Sequence, residues 1–209
     1  MKSAAVFLID HFEETEGLTT ADILRRGGVE VTTVSLTGRA EVLGSHNIPV
    51  HTDALFEDVK DRPFDMLVIP GGTTDHTKHA GLLELVRKYD AAKKPIAAIC
   101  AAPAVLAKAG ILKGRKAVCY PGMESWLEGA VIGDGIVVTD GNITTGKGPA
   151  VTPFFALKLL EILCGRATAE KVAEAFLMPM IKGASFCQEA VHLLSNIQDC
   201  PRRAKTVNL

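Results

Sequence analysis

Uninterrupted apolar runs of strand length, alternating with segments of helical spacing, constrain this chain more than any other feature. Residues 4–9 (AAVFLI), 66–70 (MLVIP) and 95–99 (PIAAI) carry no polar side chain. A strand of that kind is buried on both faces, as happens when helices cover both sides of a parallel sheet. Helical periodicity is read over residues 20–26, 82–92, 101–109, 151–164 and 169–176. Further strands are read over 29–36, 117–119, 136–139 and 143–145, with Asp140, Gly141 and Asn142 as a hairpin turn between the last two. Residues 41–50, interrupted by Gly44 and Pro49, read as a short hairpin. This order predicts an α/β sandwich of three layers around a mostly parallel sheet.

The chain has 209 residues, and no repeat, low-complexity tract or Ser/Pro linker divides it. One domain is expected over residues 1–183, followed by a helical extension and mobile end over 184–209. In that extension Ser185 and Gln188 form an S-x-x-Q capping box ahead of Phe186, Ala190, Leu193, Leu194 and Ile197 at helical spacing. The pattern predicts a helix over 186–198, packed on its own domain or on a partner subunit, and a mobile segment over 202–209.

Composition excludes several classes. With 23 Lys plus Arg against 24 Asp plus Glu the net charge is −1, which argues against a nucleic-acid partner, since that affinity rests on excess cations. The longest apolar stretch, residues 96–107, contains Pro103 and falls short of the ~18 residues of a membrane span. Residues 4–9 lead into Asp10, His11, Glu13 and Glu14 with no small-residue cleavage site; they read as the first strand of a cytoplasmic protein. Five cysteines without a CxxC pair speak against a disulfide framework or a zinc site, so each thiol is weighed alone.

Cys100 stands out. It lies between an apolar strand and a helical segment, with Ala98 and Ala102 two positions to either side and Pro103 suited to a first helical turn. A nucleophile on a sharp strand-to-helix turn needs small flanking residues of that kind. At a helix N-terminus, free N–H groups would lower the thiol pKa. Gly71 and Gly72 follow the buried run 66–70; amides there, with that of Ala101, suit an oxyanion hole. Glu13, Glu14 and Glu16 read as charges at a helix start, but one of them facing the cysteine would be desolvated, raised in pKa and suited to relaying a proton. His76 and His79, three apart in a polar loop, leave open a metal site, and Lys147 in Gly146-Lys147-Gly148-Pro149 leaves open a contact with an anionic substrate or a solvated cap.

Taken together, E-E-x-E after the first strand, P-G-G after a central strand and A-I-C-A-A at the elbow resemble the ThiJ/PfpI superfamily, and within it the Parkinsonism-associated protein deglycase branch. The resemblance runs from about residue 4 to about residue 178 and includes a G-K-G-P-A segment before the long helix. It implies a flavodoxin-like fold, a homodimer and a reactive cysteine with no cofactor and no metal. It carries the nucleophile onto Cys100, the carboxyl partner onto Glu16 and the oxyanion amides onto Gly72 and Ala101, with Gly71, Tyr120 and Lys147 as further pocket residues. Tyr120 stands where the branch has a histidine, and Ala102 where the elbow has its second glycine. With a side-chain pKa near ~10, tyrosine is the poorer base at neutral pH. Small carbonyl compounds or glycated groups are the implied substrates; an oxidative-stress sensor or chaperone using the same cysteine is the alternative. Limited peroxide is expected to place two oxygens on Cys100 before Cys164, which sits in an apolar helical context. Peptide mass spectrometry of the oxidised protein checks that order.

Overall fold

The computed structural model describes residues 1–183; the predicted helix over 186–198 and the end of the chain lie outside the described residues. In chain order the elements are β1 (Ser3–Leu8), α1 (Glu14–Arg26), β2 (Glu30–Ser35), β3 (Glu41–Leu43), β4 (Pro49–His51), β5 (Ala54–Leu55) and α2 (Phe56–Val59). There follow β6 (Met66–Ile69), α3 (Ala80–Ala91), β7 (Ile96–Ile99), α4 (Pro103–Lys108), β8 (Lys116–Ala117) and β9 (Val131–Ile132). The described chain closes with β10 (Val137–Asp140), β11 (Ile143–Gly146), α5 (Thr152–Cys164), α6 (Arg166–Ala175) and α7 (Met178–Gly183). Met1–Val172 forms one compact unit, and a second begins at Ala173.

Seven strands make the main sheet in the order β10-β11-β7-β6-β1-β2-β5, parallel throughout except for the β10–β11 hairpin. This is the flavodoxin-like three-layer arrangement. Every residue of β1, β6 and β7 is buried, as their unbroken apolar composition requires. Alternate side chains divide between two faces. Ala5, Phe7, Leu67, Ile69, Ile96 and Ala98 join the core under α3 and α4 with Leu82, Val86, Val105 and Leu106. Val6, Leu8, Val68 and Ile99, the intervening residues, are buried toward α1 and α5, where Ile23, Leu24, Phe155 and Leu159 are also buried. Gly27 lets these two helices meet: a Cβ there would lie 2.2 Å from a methyl of Leu160.

Three expectations are adjusted. The first helix begins at Glu14, not at residue 20, because the Glu13 carboxylate caps it by accepting the Glu16 N–H at 2.6 Å. The strand expected over 117–119 is only Lys116–Ala117, paired with β9 in a ribbon outside the main sheet. The helix after Cys100 starts at Pro103 and has six residues. No helix among the described residues is long and apolar enough to cross a membrane.

Phe155 is fully buried, with its ring close to Gly146 at the end of β11. Phe155→Ala removes a ring that the sheet cannot collapse around, and should lower stability by about 3–5 kcal/mol in denaturant titration.

Candidate active site

The carboxyl ends of β1, β6 and β7 bring three sequence-distant segments together: the loop 9–13 with the start of α1, the turn at Gly71 and Gly72, and Cys100. Sites in open parallel sheets form at this end of the strands. Cys100 has φ of +64°, a left-handed conformation that costs a residue with a Cβ roughly 1–2 kcal/mol. Both of its backbone groups are tied down: its N–H donates to the Gly146 carbonyl at 2.9 Å, and its carbonyl accepts the Tyr120 N–H at 2.9 Å. Ala98 and Ala102 are fully buried beside it, where larger side chains would collide.

Gly71 is where the reactive groups converge. A Cβ on Gly71 would sit 2.6 Å from the Cys100 Cβ, 2.8 Å from the Ala101 nitrogen and 2.9 Å from Glu16 Oε2. Only glycine permits that approach. Gly72, at φ +88°, packs equally tightly on the loop 11–13: a Cβ there would lie 2.3 Å from the Glu13 nitrogen. The Glu13 N–H donates to the Gly71 carbonyl at 3.0 Å, which locks the two loops together.

Glu16 is completely buried. Its Oε2 accepts the Gly71 N–H at 2.7 Å, and its carboxyl group and the Cys100 thiol shift one another's pKa. Among the described residues, Oε1 is buried with no hydrogen-bond partner. Burial raises the Glu16 pKa to about 7, against the pull of the Gly71 amide; the Glu13 charge adds to the rise. For Cys100, the lowered pKa expected of a helix N-terminus is corrected. Burial pushes the thiol up to about 12, and the Glu16 carboxylate pushes the same way. The physical reason is that α4 is short and starts at Pro103, so its dipole is weak and remote. What favours the thiolate instead is a pair of individual amides, those of Gly72 and Ala101, which act on the sulfur and pull its pKa down. Two negative charges cannot share this pocket. Protonation of Glu16 near neutrality removes the repulsion on the sulfur, so the two groups titrate as a coupled unit.

The structure therefore brings Cys100, Glu16, Gly71, Gly72 and Ala101 into one cluster. Tyr120 is joined to it through its backbone, while the residue is 43 % exposed and its ring lies against Gly148. Lys147 acts on a neighbouring thiol: burial and Glu124 raise Cys119 to about 11, and the Lys147 charge opposes them. Glu14 is more than a helix-start charge. It is buried, accepts the His46 N–H at 2.6 Å and pairs with His46 Nδ1 at 2.8 Å, so it anchors the turn between β3 and β4. The one trio of potential metal ligands among the described residues is Glu13, Glu14 and His46, and these contacts already engage it. His76 and His79 do not form a shared site: His79 Nδ1 caps α3 by accepting the Leu82 N–H, and His76 is fully buried. That burial was not legible in a loop of polar neighbours.

Comparison with known proteins agrees with this geometry. The DJ-1/PfpI family profile matches residues 2–162. The chain belongs to the DJ-1/PfpI family. It is 37% identical over 182 residues to protein dj-1beta of Drosophila melanogaster, an alignment that covers 85% of this chain and 97% of that protein. It is 32% identical over 178 residues to the Parkinson disease protein 7 homolog of Danio rerio, covering 82% and 94%. The crystal structure of Drosophila DJ-1beta superposes with a TM-score of 0.81 over 84% of this chain and 97% of that one. An oxidized Toxoplasma gondii DJ-1 superposes equally well, at 35% identity, covering 85% and 98%. The DJ-1/PfpI chain described here thus has relatives over almost their whole length.

A buried acid whose pKa is raised destabilises the fold as pH rises past its unfolded value, because the folded state must then give up a proton it holds more tightly. Between pH 4.5 and about 7, Glu16 has this effect. Glu16→Gln, which cannot ionise, should therefore match the parent protein at pH 5 and exceed it at pH 8 by about 1–3 kcal/mol in denaturant titrations at the two pH values.

Proposed function

We propose that this protein is a cofactor-independent enzyme that acts on reactive α-oxoaldehydes, in the manner of a glyoxalase III, or on early glycation adducts, in the manner of a deglycase. The observation that carries the reading is a fully buried carboxyl group, Glu16, with one oxygen unpartnered among the described residues, converging at Gly71 with a cysteine held in a left-handed conformation. Strained residues and groups with shifted pKa values concentrate at functional sites.

In the proposed reaction the Cys100 S–H adds across the aldehyde C=O, forming the sulfur–carbon bond and leaving the proton on oxygen as a hemithioacetal. Glu16, as carboxylate, removes the hydrogen from that carbon as a proton to give an enediolate, with the negative charge on the neighbouring oxygen. Now protonated, it returns that proton to the adjacent carbon, and transfer of the hydroxyl proton to the oxygen on that carbon leaves a thioester of a 2-hydroxy acid. Water cleaves the thioester and restores the thiol. The net change is addition of one water to the dicarbonyl. The Gly72 and Ala101 amides stabilise first the thiolate and then the oxyanions that replace it. Tyr120, exposed at the rim, takes no part in proton transfer.

The alternative is a redox sensor or chaperone in which peroxide oxidises Cys100 to the sulfinate, each step releasing water, with protonated Glu16 donating to the new oxygen. The oxidized state of the Toxoplasma gondii relative favours keeping it. A homodimer and a cytoplasmic location belong to the proposal as well, and light scattering after size exclusion tests the first.

Incubation with methylglyoxal should yield lactate. Cys100→Ser should abolish it, and Glu16→Gln should lower it by roughly 10²–10⁴-fold while the protein stays folded. Absence of Cys100-dependent lactate would leave the sensor reading in its place.

A further inference from the structure

Between Gly72 and α3, a turn of 3-10 helix (Asp75–Lys78) carries His76 into the interior, where it is 0% exposed. The reactive pair makes no direct use of it. Its position follows from a gap in the sheet. The Leu8 carbonyl accepts from Leu36 beyond β2, so the Phe7 carbonyl, one residue earlier, turns toward β6. With Ala5 opposite Leu67 and Val6 opposite Val68, the donor due to Phe7 is the N–H of the residue after Ile69. That residue is Pro70, which has no N–H. His76 Nε2 lies 3.4 Å from the Phe7 oxygen, in the place of the missing donor. Nδ1 lies 3.5 Å from the Thr73 carbonyl, one residue past Gly72.

A neutral imidazole has one N–H, so it serves one of the two carbonyls and rests its lone pair near the other. Burial holds His76 neutral, lowering it to about 4. The tautomer with its proton on Nε2 completes the β1 edge. The ring then wedges the Gly71–Thr73 turn against β1 at a fixed distance.

We infer that His76 is a positioning residue for the Cys100–Glu16 pair: its ring replaces the backbone donor that Pro70 lacks, and so keeps the Gly71 and Gly72 amides aimed at the Glu16 carboxyl and the Cys100 sulfur. The inference rests on that pair being the reactive one, but its test does not require turnover. The charged or titratable groups facing His76 are Asp75 on its own turn and His79 at the start of α3; those facing the pair are its own two members and Glu13. All of them are kept in the variants below.

The test is the rate of Cys100 alkylation by iodoacetamide at pH 7.5, read by peptide mass spectrometry, in His76→Met, His76→Gln and His76→Asn. Gln places its amide nitrogen near the position of Nε2, and Asn near that of Nδ1. In His76→Met the Gly72 amide loses its aim, and the reaction should slow about tenfold, the equivalent of one pH unit in the thiol. His76→Gln should restore the parent rate and His76→Asn should not. Melting temperatures, measured alongside, separate a scaffold role. If all three variants melt lower but keep the parent rate, or if Gln and Asn behave alike, the inference is wrong. Should His76→Met fail to fold, the contrast between Gln and Asn decides. Failure of the underlying reading is distinct: it would show as lactate formation from methylglyoxal that is absent in the parent protein or survives Cys100→Ser.

Discussion

At Cys100 the chain takes a left-handed turn that a cysteine adopts only when something holds it there. The Gly146 carbonyl and the Tyr120 amide do so, one from the neighbouring strand and one from the loop after α4. With the backbone pinned on both sides, the side chain has little freedom, and the rest of the site is arranged around it. Gly71 must lack a side chain because the Cys100 Cβ occupies that space. Ala98 and Ala102 must be small for the same reason. Strain of this kind survives only when the surrounding packing over-determines it, and the three-layer core supplies that packing.

Electrostatics adds a second constraint. Among the described residues Glu16 is buried without a counter-cation, and the Gly71 amide donates to it. Desolvation therefore dominates, and the carboxyl group holds its proton up to neutral pH. The same desolvation acts on Cys100. A pair of groups that titrates as one unit in a dry pocket is a different device from a thiolate made by a helix dipole. It couples the ionisation of the nucleophile to that of its acid, so a substrate that takes the negative charge from sulfur frees Glu16 to ionise in turn.

Much of this was readable from residue order. The fully apolar runs at 4–9, 66–70 and 95–99 imply strands buried on both faces, because a polar side chain on either face would be stranded from water. The alanines around Cys100 imply a tight turn, and the paired glycines at 71 and 72 a close backbone approach. The start of the first helix was harder to see, since Glu13 is an uncommon cap and its carboxylate bonds a residue that itself belongs to the site. His76 was misplaced for a related reason: flanked by Thr, Asp and Lys, it reads as solvated, and only the missing N–H of Pro70 explains why it turns inward.

Local pattern thus determined the sandwich, the elbow and the short list of candidate groups, because burial periodicity and turn chemistry depend on neighbours a few residues away. Which glutamate enters the pocket was decided by tertiary structure. Glu13, Glu14 and Glu16 are alike in sequence, yet one caps a helix, one anchors the turn between β3 and β4, and one meets an amide 55 residues away. The pKa of the cysteine was decided there too. Desolvation and the aim of two amides depend on how three separate loops pack, and no spacing along the chain encodes the distance between them.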